Sequence, residues 1–305
     1  MRHPDLFVVG APKCGTTALY TYLRRHPEVF MSPLKEAHFF GTDLRFVDRP
    51  PLSEREYLGY FAGARNERCV GEASVWYLYS TRAALEIKRF SAAARIVVML
   101  RNPVDLMYAL HAERVVQGSE PIREFAAALR AEPRRRQGLD PPRRGLVDAG
   151  LYRAVAHYPD QLMRYFETFG RERVHVIVFD DLVADAAAVY AATARFLGVT
   201  PRPVAGLRPE NPSRRIRSAW LARAFHDPPR VVRVLGRAAL SRPARTRLLA
   251  ALRRLNSRVA PRPPMPEALR RELQAEFRPD IVRLGRMLDR DLAHWADAEA
   301  LAPRR

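Results

Sequence analysis

Four short apolar runs punctuate the first two-thirds of the chain, at Leu6 to Val9, Cys69 to Ala73, Arg95 to Leu100 and Val174 to Phe179. Each has the length of a buried strand and is bounded by turn residues. Between them, apolar residues recur at helical spacing over Thr16 to His26, Arg82 to Phe90, Val104 to Val116 and Arg153 to Phe169. Strands alternating with helices predict an α/β fold, a parallel sheet flanked by helices on both faces. After Phe179 an Ala-rich helix is expected up to Gly198, which stands as its C-cap.

Beyond Pro201 the pattern changes. Prolines punctuate Pro201 to Pro212, an arginine-rich helical region is expected from Arg214 to about Val259, and a last helix after Pro266 should end near Leu288. The organisation predicted is a single domain over residues 1–305, with an α/β core in 1–200 and a basic helical C-terminal extension in 201–305. The segment Glu132 to Gly145 has few groups that could build a core and reads as a mobile basic loop, either a lid facing substrate or a solvated excursion.

Composition adds one fact that pattern does not. At 48% hydrophobic and 28% charged the chain is ordinary, but its formal net charge is +19. Such an excess predicts a polyanionic partner: nucleotide phosphates, sulfated sugars, nucleic acid or an anionic membrane. Residues Arg230 to Arg258 alternate arginine with Val, Leu and Ala, which suits either peripheral contact with an anionic membrane or a solvated helix face. No zinc spacing, reader motif or aromatic interleaving supports nucleic acid, and no nucleic-acid partner is expected. The first apolar run is too short for a signal peptide and no later run approaches a membrane span, so a cytoplasmic protein is expected. Cys14 and Cys69 do not make a disulfide framework and are expected as reduced thiols.

The strongest local signal is Gly10-Ala11-Pro12-Lys13-Cys14-Gly15-Thr16-Thr17, which follows a predicted strand and opens a helix. Glycines let the backbone approach an anion, the helix N-terminus offers N–H groups, and Lys13 adds a charge. A plain strand-to-helix turn capped by Thr16 or Thr17 would need neither the lysine nor two glycines. In a nucleoside-triphosphate loop, G-x-x-x-x-G-K-[ST], a lysine would stand at Thr16, and a magnesium-binding acid would be expected where the third predicted strand ends in Arg101. Asp180 and Asp181 could hold magnesium instead, so a nucleotide kinase stays as an alternative. A cysteine-phosphatase loop, C-x5-R, fails because Tyr20 stands six residues after Cys14. Cys14 is either a thiol acidified by the helix end or a small residue that fits.

Taken together, Pro12-Lys13-Cys14-Gly15-Thr16-Thr17-Ala18-Leu19, Lys35-Glu36-Ala37-His38-Phe39-Phe40, Gly71-Glu72-Ala73-Ser74 and Arg101-Asn102-Pro103-Val104-Asp105 resemble the sulfotransferase family that uses 3'-phosphoadenosine-5'-phosphosulfate (PAPS). The likeness is to bacterial members and the heparan-sulfate branch, and Gly150-Leu151-Tyr152 and Asp180-Asp181-Leu182 extend it to about Gly198. It implies a P-loop-type sheet, PAPS as donor, 3'-phosphoadenosine-5'-phosphate as product, and transfer to a hydroxyl or amine. The implied acceptor is a carbohydrate or glycolipid.

Residue by residue, the resemblance implies that Pro12, Lys13, Cys14, Gly15, Thr16 and Thr17 grip the 5'-phosphosulfate and Arg101 the 3'-phosphate. A serine that would help Arg101 is replaced by Ala109, a loss that Tyr108, His111 or a distant arginine would have to make good. Glu36 matches the proposed catalytic base, with His38 assisting or, as in other branches, acting as base itself. Arg214, Arg215 and Arg217 lie roughly where a basic loop returns over the 3'-phosphate. Sulfonyl transfer needs an in-line nucleophile and a stabilised leaving phosphate, so Lys13 also neutralises the leaving oxygen, and no metal is required. Glu72 and Ser74 end a strand at the expected crevice, while Trp76, Tyr77 and Tyr79 either stack on bound rings or belong to the core.

Overall fold

The computed structural model describes residues 2–142, 144–203 and 262–296, with the backbone of two short strands at 214–216 and 257–259. Five strands, β1 (Leu6–Gly10), β2 (Val29–Met31), β3 (Cys69–Ala73), β4 (Arg95–Leu100) and β5 (Val174–Val178), form one parallel sheet in the order β2-β3-β1-β4-β5. Every residue of β1 and β3 is buried, which is why both read as unbroken runs. Three-residue β2, at the edge, is the strand that pattern does not predict.

The connecting helices cover the sheet. Helix α1 (Thr16–Arg25) buries Leu19, Tyr20 and Leu23, and a short α2 (Glu54–Gly59) opens with a capping box between Ser53 and Glu56. Then come α3 (Ala83–Phe90), α4 (Pro103–Gln117), α5 (Phe125–Arg130) and α6 (Glu132–Arg136). The helix expected over Arg153 to Phe169 is two, α7 (Tyr152–Ala156) and α8 (Tyr158–Phe169), because Pro159 has no N–H to continue α7. Beyond β5 run α9 (Phe179–Ala184) and α10 (Ala186–Phe196), so Phe179 opens a helix rather than ending a strand.

The expected mobile loop after Glu132 is largely ordered. Arg135 binds the buried Glu120 at 2.8 Å and Gly150 O at 3.1 Å, and the buried Glu132 accepts from Arg153 N at 3.0 Å. Two buried carboxylates recruit arginines that composition alone assigns to solvent.

Helix α11 (Glu267–Leu288) lays Leu273, Phe277, Ile281 and Leu284 against α4 and α8. Within the stretch expected as an arginine-rich helix, β6 (Arg214–Ile216) instead pairs antiparallel with β7 (Ser257–Val259), and β6 runs beside α4. The rest of that stretch, Arg217 included, lies outside the described residues. Among the described residues no helix is long and apolar enough to cross a membrane.

Candidate active site

Strand order places β1 between β3 and β4, so the loops leaving β1 and β4 rise from neighbouring strands at the carboxyl edge of the sheet. That edge, where the strand order changes sides between β1 and β4, is where open α/β sheets bind ligands. A Cβ on Gly10 would sit 2.6 Å from Leu78 Cβ and 2.9 Å from Val75 O, so glycine is required there. Gly15 ends the loop in the left-handed region at φ 90°, and α1 starts with no side-chain cap. Pro12, Cys14 and Thr16 are buried and Thr17 half-buried, so the loop wraps the uncapped helix end. Such an end offers N–H groups to an anion.

Lys13, also left-handed at φ 64°, directs its ammonium across the crevice to Glu113 Oε1 of α4, 2.9 Å away. Cys14 lies beneath. Burial pushes its thiol up to about 12 against the opposing charges of Arg101 and Lys13, so it is a neutral packing residue and not the acidified thiol that the helix end alone would give.

Arg101 leaves β4 and stacks 4.7 Å over the Phe179 ring. The next residue, Asn102, caps α4 by accepting from Val104 N at 3.0 Å and donates to Trp295 O at 3.1 Å. Asp105, one turn into α4, lies 3.9 Å from Arg101 Nη2 and 2.9 Å from Arg270 Nη2 of α11. Arg270 Nη1 is buried without a hydrogen-bond partner among the described residues. Arg262 stacks 5.7 Å from the Tyr108 ring centroid, and burial, then the charge of Arg101, pushes its pKa down. Three guanidiniums therefore gather near one carboxylate, beside the buried Ala109. Sequence pattern gives no signal for Glu113, Arg262 or Arg270, because each arrives from a distant element.

Residues 35–40 cross the end of β3. Glu36 and His38 are both left-handed, at φ 66° and 49°. Lys35 Nζ lies 2.8 Å from Glu36 Oε1, and His38 Nε2 is 3.6 Å from Glu36 Oε2. Burial opposes the charge of Glu36, but His38 and the Lys35 ammonium outweigh it and hold the carboxyl down at about 2. The His38 ring is 3% exposed, stacks on Phe46 at 4.7 Å, and is pushed toward its neutral form by burial. Glu36, at 34% exposure, is the member of the pair that a ligand can touch.

Other expected residues are placed as follows. Arg214 and Arg215 lie on β6 beside α4, as strand and not helix. Tyr77 is fully buried and Trp76 nearly so, which makes both core, while Tyr79 is half-buried at the rim. Asp180 Oδ2 accepts from Trp295 Nε1 at 2.6 Å and lies 2.9 Å from His294 Nε2, and Asp181 pairs with Arg290. These carboxylates anchor the C-terminal segment.

The arrangement is that of an α/β fold with cationic groups along one sheet edge and an ionised carboxylate to one side. Comparison with known proteins gives the family. The sulfotransferase domain family matches residues 3–216, and the chain belongs to it. A sulfotransferase of Alicyclobacillus acidocaldarius superposes over 97% of this chain and 100% of that one, with a TM-score of 0.70 and 30% identity. Human carbohydrate sulfotransferase 15 is 33% identical over 150 residues, covering 35% of this chain and 26% of that protein. Mouse heparan sulfate glucosamine 3-O-sulfotransferase 6 is 28% identical over 202 residues, covering 65% and 53%. The chain thus spans about a quarter of the first relative and about half of the second. Family membership sets aside the kinase and nucleic-acid readings.

Proposed function

We propose that this sulfotransferase moves the sulfonyl group of PAPS to a hydroxyl or amine of a carbohydrate or glycolipid. The observation that carries the reading is the rise of Lys13 and Arg101 from adjacent strands at one sheet edge, which suits a nucleotide phosphorylated at both ends. The 5'-phosphosulfate lies on the loop of Pro12 to Thr17, where uncapped N–H groups and Lys13 meet its charge. An ammonium has three protons, so Lys13 can keep Glu113 and still donate to the leaving oxygen. The 3'-phosphate lies at Arg101, with Arg214 and Arg215 on β6 beside α4 as further candidates and Arg217, outside the described residues, as a third.

Glu36 takes the acceptor's proton. A carboxylate held near 2 is a weak base toward an alcohol, but the alcohol oxygen becomes strongly acidic as its bond to sulfur forms. The proton moves late, the S–O bond to the 5'-phosphate breaks, and 3'-phosphoadenosine-5'-phosphate leaves. His38, neutral and packed behind Glu36, orients the carboxylate. Carbohydrate acceptors are supported by the relatives' names, carbohydrate and heparan sulfate sulfotransferases.

The test is calorimetric binding of 3'-phosphoadenosine-5'-phosphate in EDTA, with turnover of labelled PAPS on desulfated polysaccharides. Lys13→Ala should lower turnover by about 10²–10³ while the thermal midpoint stays put. Nucleotide binding that is lost in EDTA, or full activity in Lys13→Ala, overturns the assignment.

A further inference from the structure

Glu72 stands on β3, one strand in from the sheet edge, with no exposure to solvent, an unusual place for a carboxylate. Its Oε1 accepts from the hydroxyls of Tyr57 at 2.9 Å and Tyr77 at 2.8 Å, and its Oε2 from Ser74 Oγ at 2.8 Å. Burial raises its pKa and those hydroxyls oppose the rise. Glu72 accepts all three bonds, so each hydroxyl turns its single proton inward.

That orientation leaves the lone pairs of Ser74 and Tyr77 facing the 35–40 segment, where they are used. His38 N–H donates to Ser74 Oγ at 3.1 Å, and Phe39 and Phe40 N–H donate to the Tyr77 hydroxyl at 2.9 and 3.2 Å. Glu36 N–H donates to Ala73 O at 2.8 Å, one residue beyond Glu72. All four bonds fall on the stretch that holds Glu36 and His38 at left-handed φ, a conformation non-glycine residues keep only when their surroundings over-determine it.

We infer that Glu72 is a positioning residue for the reaction, acting through Ser74 and Tyr77 to hold Glu36 and His38 in the geometry that receives the acceptor's proton. The inference rests on the reading of Glu36 as base given above. A carboxylate serving packing alone would be replaceable by any group that fills the space. Here the sense of the hydrogen bonds matters, because an amide in place of Oε2 presents N–H to Ser74 and leaves that hydroxyl's proton without its acceptor.

The experiment compares Glu72→Gln, Tyr77→Phe and Glu36→Gln, with desulfated heparin as the acceptor probe and 3'-phosphoadenosine-5'-phosphate as the donor-site probe. Glu72→Gln should lower kcat by about 10- to 100-fold while nucleotide Kd stays within about twofold. If that variant does not fold, Tyr77→Phe carries the test, since it keeps the carboxylate but removes the acceptor for Phe39 and Phe40 N–H. The His38 imidazole resonance, identified by its loss in His38→Gln, should move in either variant at fixed pH, a readout independent of any acceptor. An unmoved resonance, wild-type kcat, or kcat and nucleotide affinity falling together overturns the inference. Should Glu36→Gln itself turn over normally, the base assignment is what fails; if it is inactive and Glu72→Gln is not, only the positioning role falls.

Discussion

At the scale of single residues, charge and burial separate the groups that meet a ligand from those that build the wall. Cys14 sits in the loop between β1 and α1 yet is wholly buried, with its thiol pushed up to about 12. Iodoacetamide at pH 8 should leave it unmodified in the native protein and label it only after unfolding; rapid native labelling would contradict its packing role. Arg270 offers the converse case. Its Nη1 is buried with no hydrogen-bond partner among the described residues, while its Nη2 pairs with Asp105, which also lies 3.9 Å from Arg101. Arg270→Gln should raise the Kd of 3'-phosphoadenosine-5'-phosphate by about 10-fold and barely change that of adenosine-5'-phosphosulfate, which lacks the 3' group. Equal effects on both nucleotides would remove Arg270 from the 3' end.

At the scale of elements, continuous apolar runs made β1, β3, β4 and β5 legible, because strands covered on both faces have no polar side to hide. Val29–Met31 was not legible, being three residues long at an edge. The break between α7 and α8 carried a signal in Pro159 that a purely periodic reading passes over. The strand-to-helix loop around Lys13 was legible because loop, glycine and helix start are local. The Glu113, Arg270 and Tyr77 contacts were not readable, since they join elements whose approach only the tertiary fold decides. Helix α4 shows how a local device becomes a long-range one. Asn102→Ala should cost about 1 kcal/mol for the lost cap, and more because Trp295 O loses its donor. Thermal unfolding should show a fall of at least about 2 °C; no change would mean the cap is replaced by water.

At the scale of the whole molecule, acid should loosen the fold in two stages. His38 is kept neutral by burial, so its contribution is complete above its unfolded value of 6.5 and is lost as pH falls toward its lower folded value. Glu36 is held down at about 2, so its contribution is complete above 4.5 and disappears as pH falls through 2. Glu72 works in the other sense, since its raised pKa favours the folded state on protonation. Burial lowers His111 and His175 in the same sense, so thermal midpoints measured from pH 8 to pH 4 should decline from about pH 6.5, and His38→Gln should reduce that first step by its share. A decline of equal size in the variant would assign it elsewhere.

The tie between Asn102 and Trp295 spans 193 positions and joins the rim of the candidate site to a tryptophan clamped on Asp180. A ribosome making this polypeptide must therefore release residue 295 before that rim is complete. Until then the emerging chain has its sheet-forming segments but an unfinished rim, so completion of the candidate site is among the last steps that synthesis allows.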